Sequence, residues 1–344
     1  MLWQPKDIKA RFNNLCFGCL SCNGKKCAGQ FPGMGGVGEG LCFQSNVSSI
    51  QNLKLNSHFF RNEGESNQID TSTKLFDCSL SIPILGAPIA GMWRNLPNII
   101  DEEDLLRSLL YGAHESKTIG MTGGGLTSNG SPLEWISLKI LAEINGVGIP
   151  ILKPQIDNKE LIKQIKEAEN LGCPAVGVNI DSGSELPCWE FKSVDVWRDI
   201  ISQTKIPFIF KGILSIEDAE MAVAANASTI IISNHGGRIM DSLPPVAIVL
   251  PKIVESVGSN ITILADGGIR SGEDVFKMLA LGAKAVLVGR PLIHGAVMEG
   301  IKGVKMVFEK FEKELKTVMK TVGVSTVDDI YRRKDSFLCG NITE

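Results

Sequence analysis

A histidine and an arginine three residues apart, in the run Ser233-Asn234-His235-Gly236-Gly237-Arg238, are the groups of this 344-residue chain best equipped for chemistry. An imidazole at neutral pH can accept a proton from a hydroxyl or a carbon, and the two glycines after it leave room for a small molecule. A guanidinium presents a planar fork of donors that matches a carboxylate. The pair therefore predicts His235 as a general base and Arg238 as the clamp on an anionic substrate. Lys211, at the end of the apolar run FIFK, reads as a fixed positive charge beside a developing anion. Two later turns, Asp266-Gly267-Gly268-Ile269-Arg270 and Gly289-Arg290-Pro291, let the backbone come close to a phosphate and add guanidinium groups to it. Together these groups point to a redox site.

Something must hold them on one face. From about residue 82 onward, short apolar runs alternate with segments of helical spacing, the pattern of parallel strands joined by crossover helices. Eight such runs occur, at 82–90, 118–122, 149–153, 175–181, 207–211, 229–233, 261–266 and 285–289. Most are apolar throughout, as strands covered on both faces are, and eight of them predict a closed (β/α)8 TIM barrel. In that fold chemistry gathers at the carboxyl ends of the strands. Asp181 ends the fourth run, Lys211 the fifth and Asp266 the seventh, and His235 lies just past the sixth. Asp157-Asn158 and Ser271 read as helix starts, and a charged helical stretch is expected over 304–321. The division expected is an extension over residues 1–80 and a barrel with C-terminal helices over 81–344. Within the extension, Gly33, Gly35 and Gly38 have the spacing of a dinucleotide fingerprint, but no strand precedes them. The irregular stretch 182–192, after the fourth run, is placed where substrate contacts form.

A formal charge of -3 and a pI near 5.9 give no electrostatic footprint for nucleic acid. No apolar run is long enough for a membrane helix, and the polar start MLWQPKDIKARFNN lacks a secretory core, so a cytoplasmic protein is expected. Nine cysteines are an odd number, and four of them, Cys16, Cys19, Cys22 and Cys27, form a C-x2-C-x2-C-x4-C cluster. Thiolates at that spacing predict a metal site, zinc or an iron–sulfur cluster, and a cluster near a redox centre would give electrons an exit.

In three blocks, IFKGILSIEDA, IISNHGGRIMDSLPP and ILADGGIRSGEDVFKMLALGAKAVLVGRP, the chain resembles the FMN-dependent α-hydroxy acid dehydrogenases and oxidases, the family of glycolate oxidase and flavin lactate dehydrogenases. The resemblance implies an FMN-binding barrel that oxidises a small 2-hydroxy acid, with an electron acceptor left open and a homo-oligomeric assembly. It implies that His235 takes the proton while hydride goes to flavin N5, that Arg238 holds the substrate carboxylate, and that Asp181 orients the imidazole. Lys211 would sit at the flavin N1/O2 edge and Pro88, Ile89 and Ala90 at its N5 side. Ser233, Asp266, Gly267, Gly268, Arg270, Gly289 and Arg290 would hold the ribityl phosphate. The family's two active-site tyrosines have no counterparts, since the chain has only Tyr111 and Tyr331, and its glutamine-any-tyrosine pattern becomes Ile151-Leu152-Lys153 with Gln155 nearby. Lys153 is thereby placed at the substrate, and the loop after Asp181 carries no second arginine. Those departures leave two alternatives, an FMN-dependent isomerase or reductase of another small acid, and a redox-sensing barrel.

Overall fold

The computed structural model describes residues 2–60, 68–154, 157–181, 191–333 and 336–339. Eight parallel strands close into a barrel: β1 (Ile84–Ile89), β2 (Gly120–Thr122), β3 (Ile149–Leu152), β4 (Val176–Asn179), β5 (Phe208–Ile213), β6 (Thr229–Ile232), β7 (Thr262–Ala265) and β8 (Ala285–Val288), with β8 pairing back onto β1. Each strand falls on one of the eight apolar runs. Alternate side chains separate two cores. Leu85, Met121, Ile149, Ile151, Ile209, Ile231, Leu264 and Leu287 fill the barrel, while their neighbours pack outward on the helices. Each such side chain contributes roughly 1.5–3 kcal/mol on burial. Leu75 and Leu80, from a hairpin of Thr73–Leu75 and Cys78–Leu80, join the inner core.

Twelve helices are described: α1 (Pro5–Arg11), α2 (Leu41–Asn52), α3 (Met92–Asn95), α4 (Glu102–Glu115), α5 (Glu134–Glu143), α6 (Asn158–Asn170), α7 (Val194–Ser202), α8 (Ile216–Ala224), α9 (Val246–Val257), α10 (Gly272–Ala280), α11 (Arg290–Thr321) and α12 (Val327–Arg332). Asp157 and Ser271 cap α6 and α10 by accepting from Lys159 N and Asp274 N, as their positions imply. The charged stretch expected over 304–321 is the second half of α11. The first half begins at Arg290-Pro291, and the two meet at a break where Gly300 takes φ 60. A Cβ on Gly295 would lie 2.6 Å from Gly303 O, so the halves cross at a distance only glycine permits. Ahead of the barrel, residues 33–46 run over the end of the barrel where the loops after β6, β7 and β8 lie: Val37 N donates to Gly237 O and the Asn46 amide pairs with Asn234.

Candidate active site

His235 follows β6 in the left-handed region, φ 55, with Gly236 and Gly237 continuing at φ 63 and 76. A non-glycine residue there costs on the order of 1 kcal/mol or more, and it persists because the surroundings fix it. Its Nδ1 lies 3.1 Å from Asp181 Oδ1 and 3.4 Å from Asn179 Nδ2. Burial alone would push the Asp181 carboxyl up, but the charge and hydrogen bond of His235, with Lys211 and Lys153 adding, outweigh it and hold the carboxyl below its ordinary value. Asp181 has room because residue 212 is glycine: a Cβ at Gly212 would come within 2.6 Å of the Asp181 side chain, and the register of β5 on β6 shifts there. Next to the bulge, buried Lys211 donates to Ser233 Oγ at 2.8 Å and pairs with Asp266 Oδ2 at 3.3 Å. Ser233 Oγ also accepts from His235 N, so one hydroxyl ties the lysine to the histidine loop.

A first cavity is lined by Lys211, His235, Arg238, Asp266, Gly267, Gly268, Arg270, Gly289 and Arg290, with Pro88, Ile89 and Ala90 on its wall. Ser233 does not reach it and acts from behind, through Lys211. The cavity's arginines are tied to carbonyls: Arg290 donates to Met34 O, Gly35 O and Gly236 O, and Arg270 to Cys22 O and Ile269 O. Burial, with Arg270 and Arg238 nearby, pulls the Arg290 pKa down to about 9, so the cluster holds more positive charge than it can comfortably keep. Arg270 Nη2 and Asp266 Oδ1 are buried without a hydrogen-bond partner among the described residues. An orphaned donor beside crowded guanidiniums and two positive-φ glycines suits a phosphate, and a neighbouring orphaned carboxylate oxygen suits a hydroxyl.

A second cavity, of about 470 Å³, shares Pro88, Ala90, Asn95, His235 and Arg238 with the first and adds Phe31, Trp93, Arg94, Leu133, Ile151, Lys153 and Asn179. His235 and Arg238 thus face the same two spaces. The Arg238 fork is already engaged, by Gly33 O and Gly35 O through Nη1 and by Asn95 Oδ1 through Nη2. Residues 182–190 and Gln155, expected near the substrate, lie outside the described residues.

The cysteine cluster does not form the metal site expected of it. Among the described residues no three His, Cys, Asp or Glu side chains converge to hold a metal. Cys16 is buried and turned to His294, Sγ to Nε2 3.3 Å, and Cys27 Sγ reaches only Gly24 O, 3.9 Å away. Burial pushes the Cys16 thiol up to about 12, and raises Cys27 as well, which favours thiols over ligating thiolates. Cys19 and Cys22 are likewise free. Regular spacing brought the four thiols near one another without aiming them at one point.

Several groups that build the site carry no local signal. Asn46 and Asn234 exchange amide hydrogen bonds of 2.7 and 2.9 Å, and Asp241 accepts from Glu39 N and Cys42 N at the start of α2. Together they lock the segment before the barrel onto the His235 loop.

A model of the FMN-dependent dehydrogenase family matches residues 189–336, a span that holds Lys211, His235, Arg238, Asp266, Arg270 and Arg290. A peroxisomal (S)-2-hydroxyacid oxidase of Arabidopsis thaliana is 43% identical over 183 residues, covering 52% of this chain and 50% of the relative. The chain therefore spans about half the length of that relative. The 2-hydroxyacid oxidase 2 of Mus musculus is 29% identical over 325 residues, covering 86% of this chain and 90% of the relative. Among solved structures, a mandelate oxidase variant with (S)-mandelic acid superposes with a TM-score of 0.74 at 26% identity, covering 96% of this chain and 98% of that one.

Proposed function

Because this chain belongs to the FMN-dependent dehydrogenase family, we propose that it binds FMN at the carboxyl ends of the barrel strands and oxidises a small 2-hydroxy acid to the 2-oxo acid. The observation that supports this most is that His235, backed by Asp181 at 3.1 Å, and Arg238 line both the phosphate-suited cavity and the adjoining chamber. Bound FMN supplies a two-electron acceptor for the hydride leaving the substrate α-carbon. The chain's own groups do the rest. With Nδ1 turned to Asp181, His235 takes the hydroxyl proton at Nε2, and the carboxylate steadies the imidazolium so formed. Arg238, which lines both cavities, orients the substrate carboxylate. Lys211, 3% exposed and on the cavity lining, would stand beside the negative charge that builds up as hydride leaves the substrate.

In this reading Arg270, Arg290, Asp266, Gly267, Gly268 and Gly289 hold the ribityl phosphate, Pro88, Ile89 and Ala90 form the wall beside the ring, and Lys153 stands at the substrate. We also infer a cytoplasmic setting, on the free thiols of the N-terminal segment, and a homo-oligomer, on the family resemblance.

The test is anaerobic mixing of the FMN-loaded protein with a panel of 2-hydroxy acids, followed by the flavin absorption near 450 nm. Bleaching by a member of the panel is expected, and His235→Ala should keep FMN bound while slowing bleaching by about 10²- to 10⁴-fold. A variant that bleaches at the full rate, or a protein that takes up no FMN, would overturn the reading.

A further inference from the structure

Asn95 borders both cavities, and the reaction above gives it no part. It closes α3, and the two halves of its side-chain amide reach opposite ways. Oδ1 accepts from Arg238 Nη2 at 2.7 Å, and Nδ2 donates to Ala90 O at 3.0 Å. A guanidinium only donates and a carbonyl only accepts, so these partners leave the amide one orientation. One side chain thus joins the arginine assigned to the substrate carboxylate to the wall assigned to the flavin ring.

Such a link positions a group only if its own mount is firm. The helix α3 has four residues, too few to hold itself, and it is held from outside. Glu102, from the next helix, accepts from Gly91 N at 3.1 Å and from Met92 N at 2.8 Å, one carboxylate oxygen on each. Gly91 takes φ 77, a left-handed turn that suits glycine, and its carbonyl accepts from Asn95 N at 2.9 Å. Met92 and Leu96, before and after Asn95, are each 1% exposed, and Trp93 Nε1 donates to Leu126 O at 2.7 Å. Gly33 O and Gly35 O, which also accept from Arg238, belong to the segment ahead of the barrel, whereas Asn95 ties the same guanidinium to the end of β1.

The residue type matters as much as the place. An amide oxygen fixes the plane of a guanidinium without adding charge beside it. A carboxylate there, 2.7 Å from Nη2, would bring a negative charge that opposes the approach of an anionic substrate, whatever else surrounds the arginine. An aliphatic side chain of the same size would fill the space and direct nothing.

Resting on the reading that the site oxidises a 2-hydroxy acid, we propose that Asn95 is a positioning residue, which holds the Arg238 guanidinium in register with the wall at Ala90 before the substrate arrives. A clamp ordered in advance spares binding the cost of ordering it, so the effect falls on affinity.

Anaerobic stopped-flow with the FMN-loaded protein tests this, with lactate, 2-hydroxyoctanoate and mandelate as substrates and with Asn95→Leu and Asn95→Asp as variants. For the acid that bleaches the wild-type flavin fastest, Asn95→Leu should raise the half-saturating concentration about tenfold, the loss of one charge-assisted hydrogen bond, and leave the limiting rate within about threefold. The FMN dissociation constant should not change. Asn95→Asp should raise the half-saturating concentration at least as much, although its shape is closer to asparagine. A side chain that merely packs predicts the opposite order, with the aspartate near wild type. A half-saturating concentration within about twofold of wild type in either variant overturns the proposal, as does a change carried by the limiting rate or by weaker FMN binding, and the 2-hydroxy acid reading survives each of these results. If no 2-hydroxy acid bleaches the wild-type flavin, that reading fails before any variant is compared, and the proposal falls with it.

Discussion

The two ends of the site are built on different terms. At the phosphate end, Arg270 and Arg290 follow directly after β7 and β8, lie inward, and donate to backbone carbonyls of Cys22, Ile269, Met34, Gly35 and Gly236. At the substrate end, Phe31, Arg94, Leu126 and Lys153 arrive from four separate stretches of chain, and Phe31, Arg94 and Leu126 are exposed. The barrel dictates the first end, because a strand's end fixes where the next few residues lie. The second is decided by whatever the chain lays across the mouth, so it can change without disturbing the fold. His235 stands at the seam, and its support by Asp181, just after β4, and by Ser233, just after β6, belongs to the rigid side.

The largest effect that sharpens this contrast is expected from Asp181→Asn. An amide cannot steady an imidazolium, so kcat should fall about 10³-fold while FMN remains bound, and KM should move little. Retention of more than a tenth of the activity would show that the histidine needs no carboxylate, and the rigid side would lose its chemical role. Arg290→Met comes next. It removes a cation from the cluster and strands three carbonyls, so the FMN dissociation constant, measured by fluorescence quenching on binding, should rise roughly 10- to 100-fold. The ratio of rates for any two substrates at saturating FMN should hold. If that ratio shifts instead, the two ends are one unit and the contrast fails.

What the sequence showed, and what it hid, follows the same line. All eight barrel strands were legible because mostly apolar runs of five to nine residues, alternating with segments of helical spacing, have few other readings. Lys211 and Asp266 were legible because each closes such a run, and His235 because it lies just past one. The three-residue strands of the hairpin at 73–80 carry too few residues for a period, and the Lys54–Leu55 pairing with Leu338–Cys339 joins the far ends of the chain. Asn46, whose amide locks to Asn234 across 188 positions, looks locally like one more polar residue of a helix. Asn95 ends a four-residue helix and gains meaning only when Arg238 folds against it. The cysteine spacing was the clearest local signal of all and misled, since ligation depends on where the side chains point and not on intervals along the chain.

The smallest of these effects reports on how the N-terminal segment is seated. His294, on the first half of α11, touches Cys16 Sγ and meets the Phe12 ring edge-on with centroids 5.3 Å apart. Its pKa is lowered to about 4, chiefly by burial and then by the charges of Arg270 and Arg290. In the unfolded chain the same imidazole titrates near 6.5. Between those two values the unfolded state takes a proton that the folded state refuses, so stability is undiminished above about pH 6.5 and should fall by roughly 1.4 kcal/mol per unit as pH drops toward 4. Urea midpoints collected from pH 7 to pH 4.5 should show that slope, and His294→Gln should flatten it whatever its effect on stability at pH 7. FMN at saturating concentration should also reduce the slope, because a phosphate beside Arg270 and Arg290 removes part of the repulsion that keeps the imidazole neutral. An unchanged slope in the glutamine variant would mean that the contact between the N-terminal segment and α11 opens to water, and that the rigid end of the site is less closed than its carbonyl bonds indicate.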